Sequence, residues 1–272
     1  MSFFLLNFSF SSIENDARIP QTTTESPEDL ILHLPFDEGS GNVAYDQSDN
    51  ENHGTISNAI WIEGVKGTAL EFDQGDWVNC GKDASFDVTF FTIEAWIYVY
   101  SATGNRHQIL AKFENESRVL DDSYIFELST DSQRLVLTLS REGEPHWNEC
   151  YSSERIAFNK WIFVAGTYDG THVRLFINGG EVGASQVSIQ TRKTSAPVVI
   201  GNHYDDSGNF NGRIDEIRMY NRALTFEEII EDYNQLKNPQ ELPSNVIGGM
   251  VILSMLLLIF TLTIRNQRRR LH

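Results

Sequence analysis

Only two cysteines, Cys80 and Cys150, occur among the 272 residues. So sparse a supply excludes a disulfide-dense scaffold. The two thiols could form a single bridge or stay free, because disulfide geometry is strict and their spacing does not show whether they meet. Basic residues are also scarce: 21 Lys and Arg stand against 38 Asp and Glu, a net charge of −17. Four of those arginines, Arg265, Arg268, Arg269 and Arg270, lie in the last eight positions, so residues 1–245 carry 17 basic against 38 acidic side chains, net −21. Such a surface repels phosphate backbones and argues against nucleic acid as a partner. It fits divalent cations, a salty medium or simple solubility.

Catalytic strings are missing too. The seven His show no H-x-x-H or H-E-x-x-H spacing, which removes support for a zinc hydrolase. Neither a G-x-S-x-G elbow nor a phosphate-cradling glycine loop is present. Glycoside hydrolysis needs two carboxylates at a fixed separation across the scissile bond. The nearest approach, Asp215-Glu216, has its members adjacent, and strand alternation predicts that they point to opposite faces. The expectation is a protein that is not an enzyme.

What is abundant is aromatic: 17 Phe, 9 Tyr and 5 Trp, enough for a well-packed core. Phe91, Ile93, Ala95, Ile97 and Val99 alternate with Thr92, Glu94, Trp96, Tyr98 and Tyr100, the period-2 pattern of a strand with two distinct faces. Further strands are predicted at 124–128, 134–140, 161–168, 173–177, 198–201 and 212–220, with Asp169-Gly170 and Asn178-Gly179 as turns. One short helix is predicted from Phe226 to about Tyr233, opened by a capping box in which Thr225 and Glu228 satisfy each other's backbone amides. The pattern implies an all-β, antiparallel two-sheet sandwich with one C-terminal helix.

The C-terminus carries a different signal. Val246 to Ile264 is 19 residues without a charge, long enough as a helix to span about 28 Å of a ~30 Å hydrocarbon core. The arginines that follow it predict a cytoplasmic tail at 265–272, a stalk at 237–245, and an extracellular domain on a single-pass membrane anchor. Residues 1–29 read as a truncated signal segment and polar linker. The alternative, with no working signal, is a tail-anchored chain whose domain stays in the cytosol.

The strings LHLPFDEGSGNVAYDQSDNENHGTI, VKGTALEFDQGDWVNC, FTIEAWIYV, KWIFVAGTYDGTHVRLFINGGEV, VVIGN and FNGRIDEIRMYNRALTFEEI follow one another in this order over about residues 30–236. Together they resemble the laminin-G-like, concanavalin A-like lectin/glucanase jelly-roll domain, pentraxin-like modules included. The resemblance implies two antiparallel sheets packed face to face, with the concave one often carrying the ligand site. It also implies a structural calcium held by Asp37 in FDEGSG and Asp215 in RIDE, although both could instead cap turns. For a sugar ligand the expected contacts are Trp147, in the polar stretch REGEPHWNEC, and His203 and Tyr204, in a second polar loop. The functional expectation is a surface-anchored binding or adhesion module for a carbohydrate or matrix protein. Its rivals are a structural spacer without a ligand pocket and an accessory domain that targets a glycoside hydrolase.

Overall fold

The structure, a computed structural model, describes residues 28–101, 106–113, 123–129, 133–141, 147–202 and 208–237, with Trp147 described by its backbone alone. The strands in chain order are β1 (Leu30–Leu34), β2 (Val43–Ala44), β3 (Gly54–Ser57), β4 (Ile60–Glu63), β5 (Thr68–Phe72), β6 (Trp77–Asn79), β7 (Phe91–Val99) and β8 (His107–Lys112). There follow β9 (Tyr124–Leu128), β10 (Arg134–Ser140), β11 (Trp147–Arg155), β12 (Trp161–Tyr168), β13 (His172–Ile177), β14 (Gly180–Gln186), β15 (Val198–Ile200) and β16 (Gly212–Tyr220), and then helix α1 (Phe226–Leu236). Among the described residues no helix is long and apolar enough to cross a membrane. The uncharged stretch 246–264 lies outside the described residues.

Two eight-stranded antiparallel sheets form the sandwich. One runs β14-β13-β12-β7-β16-β5-β4, with β1 also paired to β16, and the other runs β11-β10-β9-β8-β15-β6-β3-β2. The first carries α1 on its outer face and is called the helix-side sheet; the second is the opposite sheet. Alternation in β7 sends Phe91, Ile93, Ala95, Ile97 and Val99 inward, where they meet Tyr124, Phe126, Leu135, Leu137 and Leu139 from the opposite sheet. The sheets approach so closely at Gly166 in β12 that a Cβ there would stand 3.0 Å from the Phe126 ring and 3.2 Å from Leu137. The predicted Asn178-Gly179 turn is a two-residue hairpin with φ of 50° and 79°, the left-handed pair that joins twisted strands.

Both cysteines are buried and free. Cys80 follows β6 and Cys150 lies in β11, and four strands of the same sheet stand between those two. At about 4.8 Å per strand they lie far beyond disulfide reach.

Helix α1 begins as its sequence requires: Thr225 accepts from the amide of Glu228, and Glu228 accepts from the Thr225 amide. It continues to Leu236, one turn beyond the expected end, because Leu236 itself is buried beside Leu30, Trp96, Phe163 and Ile229. Tyr233 stacks on Trp96 at 5.7 Å between ring centroids. The helix therefore closes part of the outer face of its sheet and leaves the rest open.

Candidate functional site

Strand β16 divides its pairing. Its first residues, Gly212 to Ile214, bond to β5, and its last, Ile217 to Tyr220, bond to β1, while β7 runs along its other side. A bulge falls between, with Glu216 at φ 45°. The bulge overturns the expectation that Asp215 and Glu216 face opposite ways, because strict alternation fails where an extra residue enters the strand. Both side chains reach the turn between β4 and β5: Asp215 Oδ2 accepts from the amides of Val65 and Lys66 at 2.8 and 3.3 Å, and Glu216 Oε1 accepts from Lys66 Nζ at 3.0 Å.

The same turn receives Asp37. Its Oδ1 accepts from the Thr68 amide at 3.1 Å, and a Cβ on Gly67 would fall 1.9 Å from that oxygen. Asp37 and Asp215, paired by resemblance as calcium ligands, therefore do converge on one segment, but they do so as acceptors for backbone amides. Asp215 is fully buried, and its remaining oxygen takes the Glu216 amide at 2.8 Å. Burial pushes its carboxyl up to about 8, against the pull of these amides. A calcium ion needs six to eight oxygen ligands, and amide hydrogens pointing at the same carboxylates repel a cation. Among the described residues no group of three or more His, Cys, Asp or Glu is placed to hold a metal. The residues do not fit a shared calcium ion, and the pair acts as a clamp on the Gly64–Thr68 turn.

Glu216 is the hub of that clamp. Its buried carboxylate accepts from His33 Nε2 at 2.9 Å, Lys66 Nζ at 3.0 Å and Arg218 Nη2 at 3.1 Å. Although burial opposes ionisation, the hydrogen bond from His33 and the charges of Arg218 and Lys66 hold it at about 2. Neither member of the Asp215-Glu216 pair presents a free carboxyl to solvent.

Beyond the clamp, the outward face of β7 opens into a cleft of about 370 Å³ lined by Gly64, Val65, Trp96, Tyr98, Lys160, Trp161, Asn178, Tyr233 and Lys237. Tyr98 and Trp161 are cross-strand partners whose rings meet edge to face at 5.7 Å, and both are half-buried. Arg213 lies 5.1 Å over the other side of Tyr98 and fixes that ring from behind. Trp96 forms the floor, and its buried Nε1–H has no hydrogen-bond partner. Asn178 Oδ1 accepts from the Phe163 amide at 3.1 Å, which leaves its NH2 group as a donor. Lys237 Nζ stands 5.2 Å over the Tyr233 ring. No carboxylate lines the cleft, although Glu94 lies one position along the same face of β7. Its carboxyl is buried, and burial, together with the carboxylates of Asp232 and Glu228, drives it well above the usual range against the pull of Arg218.

Of the expected sugar contacts, Trp147 alone has a described backbone. Trp147 opens strand β11 instead of sitting in a loop, paired with Ser140. Trp147 to Cys150, the end of that polar string, belong to an edge strand, whose outward positions Glu149, Tyr151 and Ser153 face solvent while Cys150 and Ser152 are buried; residues 142–146 lie outside the described residues. His203 and Tyr204 lie outside the described residues. The chain leaves the described part at Asn202, whose carbonyl accepts from Gln108 Nε2 at 2.6 Å, beside His107 and Leu128. Trp147 belongs to the other end of the same sheet, the end of Ser140, Tyr124 and Lys112. The residues that sequence reasoning passed over are Tyr98, Trp161 and Tyr233. The alternation in β7 already placed Trp96, Tyr98 and Tyr100 on one face, but only the cross-strand register and α1 bring Trp161 and Tyr233 to them.

Comparison with known proteins agrees with this architecture. A family profile described as the Concanavalin A-like lectin/glucanases superfamily matches residues 72–230. Pappalysin-1 of Homo sapiens is 26% identical over 118 residues, 41% of this chain and 6% of that protein. The mouse protein is 27% identical over the same length, so the chain spans a small fraction of the curated relatives it matches. Among solved structures, domain 4 of AbnA, a GH43 extracellular arabinanase from Geobacillus stearothermophilus in complex with arabinotriose, has a TM-score of 0.62 at 19% identity, over 77% of this chain and 98% of that one. The binding domain of Paraclostridial Mosquitocidal Protein 1 gives 0.61 at 17% identity, over 76% and 52%. The binding domain of botulinum neurotoxin DC in complex with SialylT gives 0.55 at 16%, over 77% and 52%. These likenesses extend to the fold.

Proposed function

The chain belongs to the Concanavalin A-like lectin/glucanases superfamily, and from that premise we propose that it is a saccharide-binding module whose site is the aromatic cleft on its helix-side sheet. The observation that carries this reading is the Tyr98–Trp161 pair, two half-buried rings joined by register in a cleft that Trp96 and Tyr233 also line. Aromatic faces stack on the apolar side of a pyranose or furanose ring, while Asn178, Lys160 and Lys237 supply donors for its hydroxyls. Catalysis is not part of the reading, because Asp215 and Glu216 are both committed to holding the β4–β5 turn.

The neighbours support a binding role, since two are toxin binding domains and the third is a domain of an extracellular arabinanase in complex with arabinotriose. That third likeness also favours a second reading, in which the module targets a glycoside hydrolase to its polysaccharide. We further propose that residues 246–264 anchor the module in a membrane with the domain outside the cell.

The test is a glycan array probed with the full chain and with Trp161→Ala. Binding to one saccharide class that weakens by about 2 kcal/mol, roughly thirty-fold, in the variant is the expected result. A blank array from folded protein would move the reading to a structural spacer.

A further inference from the structure

A second opening lies on the opposite sheet. It measures about 440 Å³ and is lined by His53, Thr55, Ser57, Trp77, Asn79, Cys80 and Gly81. Thr55 pairs with Asn79 and Ser57 with Trp77 across the β3–β6 ladder. Ile56 and Val78, which alternate with them, point into the core, so the other four side chains face out. We propose that this face is a second ligand site, selective for a neutral oligosaccharide and independent of the aromatic cleft.

Its chemistry is that of a polyhydroxylated partner. The Asp46 amide donates to His53 Nδ1 at 3.1 Å, so the ring's own hydrogen sits on Nε2 and is a donor. Asn79 Oδ1 accepts from the Gly81 amide at 2.8 Å, which orients the side chain and leaves its NH2 group for a ligand. Thr55 and Ser57 each bring a hydroxyl that donates and accepts. Trp77 is half-buried, and Tyr45, 51% exposed, meets the His53 ring edge to face at 5.2 Å. The Cys80 thiol at the base is buried, and burial pushes it far above its usual range, so it is no nucleophile.

The charge pattern decides the ligand class. In a chain with 38 acidic residues, this face has no Asp, Glu, Lys or Arg in its lining, and its one titratable ring, His53, accepts a backbone amide at Nδ1. An anionic sugar or a phosphate finds no cation here, and a cationic peptide finds no carboxylate. A neutral sugar finds donors, acceptors and an indole in one opening whose volume suits a short oligosaccharide.

The test uses the full chain carrying Trp161→Ala, which removes the cleft contribution, titrated calorimetrically with arabinotriose, cellotriose and laminaritriose. The expected result is that at least one of the three still binds, and that adding either Trp77→Ala or Thr55→Glu reduces its affinity at least ten-fold. Thr55 is exposed, so its variant keeps the test valid if Trp77→Ala fails to fold. Binding that disappears with Trp161→Ala alone, or that survives both further changes, overturns the second site. Binding that ignores Trp161→Ala and falls with Trp77→Ala upholds the second site while removing the cleft reading.

Discussion

Glu216 combines three features seldom found together: a buried carboxylate, a left-handed backbone inside a strand, and hydrogen bonds from two cations, Lys66 and Arg218, and from the His33 ring. Its folded carboxyl lies near 2 against 4.5 for the free side chain, so the stability it contributes is present above about pH 4.5 and is lost as the pH falls towards 2. Glu216→Gln should therefore lower unfolding free energy by about 3 kcal/mol at pH 7, because it leaves the surrounding cations without their charge. The gap between variant and parent should close below pH 4.5. Urea unfolding across that range measures it, and a gap independent of pH would remove the ionic role. Asp215 acts with the opposite sign. Its carboxyl is raised from 3.8 to about 8, so its contribution is greatest at acid pH and declines as the pH rises through 8.

These roles were only partly legible in the sequence. The string RIDE marked Asp215 as important, but a bulge is a property of pairing. Whether Glu216 turns into the protein or out of it depends on β16 exchanging β5 for β1 as its partner, which no local pattern encodes.

At the scale of elements, α1 is both a lid on Trp96 and a wall of the cleft. Its capping box was readable from Thr225 and Glu228 alone, because capping is a local hydrogen-bond pattern of fixed spacing. Thr225→Ala should cost about 1 kcal/mol of stability. It should also weaken saccharide binding, since Tyr233 and Lys237 hang from the far end of the same helix. Thermal melts and the array signal together check this; an unchanged signal from a less stable protein would separate the helix from the site. Strand β11 was the counter-example. An edge strand keeps one side of its ladder free and several side chains in water, so Trp147 to Cys150 read as the end of a polar loop even though their backbone is paired.

For the whole molecule, the acidic balance invited a calcium ion, and the described residues do not fit one at the Asp37–Asp215 clamp. Asp37→Ala should therefore lower the melting temperature by the same amount in calcium and in chelator. A calcium-dependent rise in the parent that Asp37→Ala abolishes would restore the ion to this site. The sandwich itself remains the best determined feature at this scale. Its two sheets, their antiparallel pairing and the inward face of β7 agree with the ordered strings and with the superfamily to which the chain belongs.

The sequence by itself determined the periodicities: which residues alternate, where turns form, where the helix starts, and that a sandwich of antiparallel sheets results. Those features follow from contacts between residues a few positions apart. Only the tertiary structure decided which aromatics share a cleft, that Asp37 and Asp215 grip one turn through its amides, and that Trp147 belongs to the far end of the sheet from Asn202. Each of these depends on strand register and on chains meeting across more than a hundred residues, as Asp215 meets Val65. A one-residue change of register reverses every side chain in a strand, so the site is specified by pairing and not by local pattern.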